Sequence, residues 1–533
     1  MTITKSPPLG KAIPERGHAI SVHLPTWQDM CGMGQGEPRV MKALQNGYPR
    51  SFFHKDVRPC KSFISSSSLI REEAVSSKSI SIFAIECGGS QPTAFYAKNH
   101  TRASTNLWAV VYPEQAAKLG ATFWRLTGTG ISSRLAEHCL QDIESIRRTQ
   151  RPERRFYSAV PIVPPVYQTI CNRIAYLLER APAQSHQALA VEDSDVFLYP
   201  SGMSAIFHVH QMLLSWRGLE TVIIGFPYEL TIKMMESYGP SFKFYSFGTD
   251  EQVDEFEEYL KGKARVGTMI QAVWCECPSN PLLHTVDLER IRRLADEYGF
   301  VVVVDDTIGS FANVDVLSVA DIVVTSLTKS FNGYADLLAG SATINPNSHY
   351  YAALKTSLID SYSNNLYIDD AIQLEHNSRN FLKRASQMNI TAENLVDYIH
   401  PLVSDPASVV SDVYYPKVCR SASKYESRMR QQTDDFTPGY GCLLTIDFET
   451  VDASIAFFDN LNVQKGPSLG ANITLAQPYV QMVLQKEKKW ATSHGLRETI
   501  VRISAGLEDK EIVLESVKYA LMMAEQTSIG CAI

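Results

Sequence analysis

Residues 300–342, FVVVVDDTIGSFANVDVLSVADIVVTSLTKSFNGYADLLAGSA, decide the fold. Val301 to Val304 form a β-branched run too short for a helix core. Such a run reads as a strand buried on both faces, as in a parallel sheet. Asp305 and Asp306 stand directly at its C-terminal end, where open α/β sheets gather ligand chemistry. A second apolar run, Ile322 to Val324, leads into Thr325-Ser326-Leu327-Thr328-Lys329. An acid at one strand end and a lysine after the next suit a pyridoxal phosphate site. The lysine holds the cofactor as a Schiff base, and the acid keeps the pyridine nitrogen protonated so that the ring accepts electrons. Taken singly, each residue has an ordinary reading too: a solvated strand end for the lysine, a turn or helix cap for the acid.

Outward from this stretch, strand and helix patterns alternate from about residue 190, the signature of a doubly wound parallel sheet. VFLYPSGMSAIFHVHQMLLSW (196–216) predicts a strand, a tight Ser-Gly turn and a helix burying Ile206, Phe207, Leu213 and Leu214. A glycine opening a helix lets backbone N–H groups approach a phosphate, and the helix dipole favours the anion. The same letters also describe a simple helix start. His208 and His210 are expected to pack rather than to bind metal. TVIIGFPYELTIKMMESYG (221–239) supplies the next strand and helix, and DLERIRRLADEYG (287–299) a helix capped by Asp287 with Leu288, Ile291, Leu294 and Ala295 on one face. Near residue 346 the pattern changes and a C-terminal domain begins. There CRSASKYESRMRQQTDDFTPG (419–439) is expected to be a charged surface loop before the strand in GCLLTIDFET (441–450).

The 533 residues suffice for two or more domains, and apolar and charged fractions of 45% and 20% are those of a soluble globular protein. A net charge of −7 argues against a nucleic-acid or anionic-membrane surface. The opening MTITKSPPLGKAIPERG has no apolar h-region and no later stretch reaches membrane-spanning length, so the expected location is cytoplasmic. Ten cysteines are scattered without Cys-x-x-Cys spacing, which predicts reduced thiols and no metal site. Cys275 and Cys277, flanking Glu276, are expected on opposite faces of a strand end. Residues 1–150 form an additional region with a serine-rich loop, SFISSSSL (62–69), and glycine-rich turns, GMGQG (32–36) and GTG (128–130). Within it, LWAVVYPEQAAKLGATFWRL (107–126) reads as strand then helix, and a second helix follows, capped by Ser132 or Ser133. A basic linker, RRTQRPERRFYSAVPIVPP (147–165), leads into the sheet domain.

ECPSNPLLHTVDLERIRRLADEYGFVVVVDDT (276–307) and ADIVVTSLTKSFNGYADLLAGS (320–341) together resemble the cystathionine γ-synthase family of Cys/Met-metabolism pyridoxal phosphate enzymes. They carry its E-x-P-x-N-P, V-V-D-N-T and S-x-T-K-x-x-x-G-x-x-D patterns, with Asp306 in place of the asparagine. SVHLPTWQD, GYPR and FWRLTGTGISSR resemble the N-terminal extension of the fungal-type members. The resemblance implies an α/β fold of the fold-type I, aspartate aminotransferase-like class: a doubly wound, mostly parallel sheet plus a smaller α+β C-terminal domain. The implied division is 1–150, then 151–345 for the cofactor domain with an inter-subunit arm near 147–165, then 346–533.

The site residues follow from the same resemblance. Lys329 would bear pyridoxal 5'-phosphate and serve as catalytic base, with Asp305 on the ring nitrogen. Tyr228 would stack on the ring near the reacting carbons, and Asn280 would lie by the ring hydroxyl. Ser201, Gly202, Met203, Ser326 and Thr328 would hold the phosphate, while Arg502 and Ser468 would take the substrate carboxylate. Asp306 would pack or hydrogen-bond nearby. In the arm, Phe156 and Ser158 replace the family's Tyr-x-Arg pair, so either Arg154 or Arg155 supplies the missing charge or the linker is merely basic. The implied reaction is γ-substitution on an O-acyl-L-homoserine through a vinylglycine-type intermediate, with the cysteine thiol as nucleophile. Sulfide, a β-keto carbon acid, γ-elimination and a silent structural subunit are the alternatives. The implied assembly is a homodimer or homotetramer with shared sites and no nucleic-acid or membrane partner.

Overall fold

The computed structural model describes residues 7–46, 57, 81–87, 105–141, 147–149, 164–184 and 189–530. The serine-rich patch, the GYPR motif and the arm residues Arg154, Arg155, Phe156 and Ser158 lie outside the described residues.

Three sheets organise the chain. The first is small and antiparallel: β1 (Ser81–Cys87) lies between β2 (Thr105–Val111) and β3 (Arg147–Thr149). The second has seven strands: β4 (Val196–Tyr199), β5 (Thr221–Ile224), β6 (Phe242–Tyr245), β7 (Ala272–Glu276), β8 (Val301–Asp305), β9 (Ile322–Thr325) and β10 (Gly340–Ile344). Their order is β4-β10-β9-β8-β7-β5-β6, with β10 antiparallel to both neighbours and all other pairs parallel. The third sheet holds β11 (Val410–Tyr414), β12 (Leu443–Phe448), β13 (Gln464–Lys465), β14 (Leu475–Pro478) and β15 (Val501–Ser504) in the order β11-β12-β15-β14-β13.

The valine run behaves as its composition requires. Val302 and Val304 join the core on one face of the sheet and Val301 and Val303 the core on the other, all without solvent exposure. Two-residue periodicity with apolar residues at every position leaves no solvated face, so helices cover both sides. The helix Leu288–Tyr298 is one of them: Asp287 caps it by accepting from Arg290 N at 2.8 Å, and Leu288, Ile291, Leu294 and Ala295 are buried. The helix Gly202–Trp216 follows β4, with Ile206 and Leu213 buried but Phe207 and Leu214 only partly so. His208 and His210 bond to the carbonyls of Ser204 and Tyr238. The helix Ser133–Gln141 begins beneath Ser132, whose hydroxyl accepts from Leu135 N.

Three local expectations change. Gly32 to Gln35 end a helix, Trp27–Gln35, closed by Gly36 at φ 75, because Thr26 and Asp29 form a capping box that starts it upstream. Cys275 and Cys277 lie in the same core, as residues two apart on a strand must. The segment 419–439 is no surface loop: Tyr425, Arg428, Arg430 and Phe436 are buried. Arg430 donates to the carbonyls of Leu178 and Arg180, closing the C-terminal end of the helix Pro165–Glu179. The charge pattern concealed this, since long basic side chains bury well when backbone carbonyls accept their protons.

Residues 7–46 pack with the third sheet. Val22, Leu24, Trp27, Met30 and Val40 share a core with Leu395, Leu444, Phe457 and Val517. Among the described residues no helix is long and apolar enough to cross a membrane. Replacing Arg430 with alanine leaves two helix-end carbonyls unpaired and is expected to cost about 3 kcal/mol in urea unfolding. A solvated loop residue would stay within about 0.5 kcal/mol.

Candidate cofactor and substrate site

The C-terminal edge of the seven-stranded sheet sets the site. β7 and β8 run parallel in a register that pairs Glu276 with Asp305, bringing two carboxyls side by side. Asp305 Oδ1 accepts from Thr307 N at 2.9 Å, and among the described residues no cation forms an ion pair with it. Burial pushes this carboxyl up to about 6. Asp306 is fully buried, accepts from Thr325 Oγ1 at 2.5 Å through Oδ1, and leaves Oδ2 unpartnered among the described residues. Burial pushes it to about 7, against the lowering effect of the Thr325 bond. Glu276 Oε1 accepts from Tyr228 N at 2.7 Å, while its other oxygen has no partner among the described residues. Burial, with the Asp305 charge beside it, holds Glu276 well above the carboxylate range.

A second group converges from the C-terminal sheet. Lys329 Nζ donates to Ser468 Oγ at 3.2 Å. Arg502, on β15, donates to Asn280 Oδ1 at 2.8 Å, and to Ser468 O and Gln477 Oε1 at 2.9 Å each. Its guanidinium lies 5.2 Å from the centre of the Tyr479 ring. These acceptors are neutral, so among the described residues Arg502 is buried without an ion pair, and desolvation lowers its pKa. A buried guanidinium of that kind is suited to an incoming carboxylate. Ser468 has φ 108, a conformation that costs a non-glycine residue energy and that clusters at functional sites.

The third group surrounds the start of the helix Gly202–Trp216. A Cβ on Gly202 would stand 2.7 Å from Ser326 Cβ, so helix start and lysine loop touch at a spot only glycine permits. Among the described residues the amides of Gly202 and Met203 make no hydrogen bond, as expected of the first turn of a helix. The Ser201 hydroxyl is engaged: it accepts from Ser204 N at 3.1 Å and donates to Gly128 O at 2.8 Å. Thr328 Oγ1 donates to Ala339 O at 3.1 Å and accepts from Ala339 N at 3.0 Å, which closes the lysine loop.

Sequence reasoning quoted Glu276 only as a motif letter and passed over Gln477, which carries no local signal. It also left the N-terminal region without chemistry. That region braces the site loops: Ser21 Oγ donates to Pro467 O next to Ser468, and Leu24 N to Lys465 O at 2.9 Å. Arg134 donates to Asp336 O at 2.8 Å and pairs with Asp370 at 3.0 Å, holding the segment after the lysine.

Comparison with known proteins gives a family likeness. The family model described as Cys/Met metabolism PLP-dependent enzyme matches residues 167–522, and that described as fungal trans-sulfuration enzyme, N-terminal domain, matches residues 53–132. The chain is 38% identical to the alanine racemase ungC of Aspergillus violaceofuscus, over 97% of this chain and 96% of that one. It is 33% identical to the cystathionine gamma-synthase-like enzyme iboG2 of Amanita muscaria, over 98% of both chains. It is 32% identical to the cystathionine gamma-synthase of Neurospora crassa, over 98% of this chain and 99% of the other. Among solved structures, cystathionine gamma synthase from Xanthomonas oryzae pv. oryzae in complex with aminoacrylate and cysteine superposes with a TM-score of 0.55. That match has 20% identity and covers 68% of this chain and 87% of the other, a likeness of fold.

The residues present fit pyridoxal phosphate. A partly buried carboxyl with no ion-pair partner among the described residues suits a protonated ring nitrogen, and two helix-start amides unpaired among those residues suit a phosphate. Asp306 yields a test. It keeps its proton in the folded chain to about pH 7 and, unfolded, releases it near 3.8, so folded stability falls as pH rises between those values. Asp306→Asn is expected to flatten part of that decline, with Asp305 and Glu276 retaining the rest. In thermal melts of the cofactor-free protein, the variant should exceed the wild type at pH 8 and match it at pH 4.

Proposed function

The chain belongs to the Cys/Met metabolism family of pyridoxal phosphate enzymes, and on that basis we propose γ-substitution on an O-acyl-L-homoserine, with the cysteine thiol as nucleophile. The observation that carries the reading is the hydrogen-bonded chain Lys329–Ser468–Arg502–Asn280. A substrate carboxylate taken by Arg502 sets the α-carbon beside Lys329 Nζ. The cofactor, when bound, supplies an electron sink that lowers the cost of negative charge at carbons next to the amine. Asp305 would hold the ring-nitrogen proton, and burial raises the pKa of Glu276 beside it at that strand edge. Tyr228 covers the ring and excludes water. Lys329 would take a proton from Cα and release it to the carbon on the far side of the substrate nitrogen, which frees it to take one from Cβ as the γ-acyloxy group leaves as a carboxylate. The thiolate sulfur bonds to Cγ, and protons return to Cβ and Cα. The proposal takes the assembly as a cytoplasmic homodimer or homotetramer.

Two other outcomes share the first proton transfer. Return of the proton to the opposite face of Cα is racemisation, favoured by the 38% identity to an alanine racemase. Addition of a β-keto carbon acid in place of sulfur is the other.

Product analysis distinguishes them. The protein with pyridoxal phosphate receives O-acetyl- or O-succinyl-L-homoserine with cysteine and a β-keto acid in competition, and separately L-alanine in deuterated water. Cystathionine as main product is expected. A carbon–carbon adduct, or deuterated D-alanine without cystathionine, overturns the choice of reaction. Lys329→Ala should lower turnover by roughly 10³-fold or more, and full activity of that variant would leave only a structural role. Arg502→Lys keeps the charge but loses the forked geometry, and should raise KM for the amino acid roughly 10–100-fold.

A further inference from the structure

We propose that the turn Thr127-Gly128-Thr129, in the N-terminal region, is a positioning element of the cofactor site that fixes the first turn of the helix Gly202–Trp216 for phosphate binding. The inference rests on the cofactor reading above. It assigns work to a part of the chain whose chemistry neither its motifs nor its relatives specify.

The helix Ala117–Thr127 ends at Gly128, whose φ of 63 turns the chain so that its carbonyl meets Ser201 Oγ at 2.8 Å. Ser201 Oγ also accepts from Ser204 N at 3.1 Å. The hydroxyl proton is thus held by the N-terminal turn and the cap is made to Ser204, which leaves the Gly202 and Met203 amides for an anion. The approach is a backbone contact. A Cβ on Gly128 would lie 2.3 Å from Ser201 Oγ and 2.4 Å from Ser204 N, so position 128 excludes every side chain.

Two further features stiffen the turn. Thr127, fully buried, donates to Phe123 O at 2.8 Å and shares a hydrogen bond of 2.9 Å with Thr129 Oγ1. Leu126 lies in the same core as Met203 and Ile206, so the turn and the helix start are packed as one unit. The backbone amides of an anion site, unlike a hydroxyl such as that of Ser326, have no side-chain freedom with which to adapt. The affinity of the site therefore depends on what holds the backbone in place.

The test compares pyridoxal phosphate with pyridoxal, which has the same ring and aldehyde but no phosphate. Dissociation constants are read from cofactor absorbance in the full-length wild type and in Gly128→Ala. The expected result is a loss of about tenfold in affinity for pyridoxal phosphate, with pyridoxal changed by less than about twofold. Equal weakening of both, or no change in either, overturns the proposal. A wild type that binds neither overturns the cofactor reading instead. Should Gly128→Ala fail to fold by circular dichroism, Ser201→Gly decides. Glycine is tolerated as a helix cap at a cost of a few tenths of a kcal/mol, and this variant removes the same bond from the other side. The same selective loss is expected, and an unchanged preference for the phosphorylated form overturns the proposal.

Discussion

The partly buried carboxyl of Asp305, set at the end of a strand and without an ion-pair partner among the described residues, is the constraint on which the rest of the site depends. An uncompensated acid in low dielectric is costly, and a protein tolerates it where a positive ligand group completes the pair. The surroundings sharpen that demand. Glu276, alongside on β7, has its pKa raised by burial and by the Asp305 charge, and Asp306 accepts from Thr325. Three acids therefore meet at one sheet edge, and only one of them faces a place where charge is useful.

The lysine and arginine sides of the site come from opposite ends of the cofactor-binding half and the C-terminal sheet. Ser468 joins them, through its hydroxyl to Lys329 and its carbonyl to Arg502. Its backbone is held in an unfavourable conformation, and the neighbouring loop is pinned from both directions. Ser21 reaches Pro467 from the N-terminal segment, and Gly470 N donates to Ser504 Oγ at 2.8 Å from β15. The N-terminal region thus acts on each edge of the site: the loop carrying Ser468 through Ser21, the segment after the lysine through Arg134, and the helix start through Gly128.

In the proposed reaction, such a site removes an α-proton from an amino acid held by its carboxylate. The later steps at Cβ and Cγ depend on a leaving group and a nucleophile. Relatives of similar overall identity carry names as different as racemase and γ-synthase, consistent with a common first step and divergent later ones. In families of this kind the shared machinery is the backbone of chemistry, and the reaction is set by the few groups around the substrate side chain.

Features that depend on neighbours along the chain were legible in the residues alone. Four valines dictate a strand buried on both faces, the acid falls at its end, and Lys329 follows the next strand, because strand period and strand-end geometry are local rules. Helix caps such as Asp287 and Ser132 were legible for the same reason. Everything carried by distant pairs was settled only in three dimensions. Lys329 and Ser468 are 139 residues apart, Arg502 and Asn280 are 222 apart, and Gly128 and Ser201 are 73 apart. Arg430 misled as a charged residue because its carbonyl partners lie about 250 positions upstream. No periodicity encodes such contacts. They exist because two sheets and an N-terminal brace close on one edge, and that closure is a property of packing.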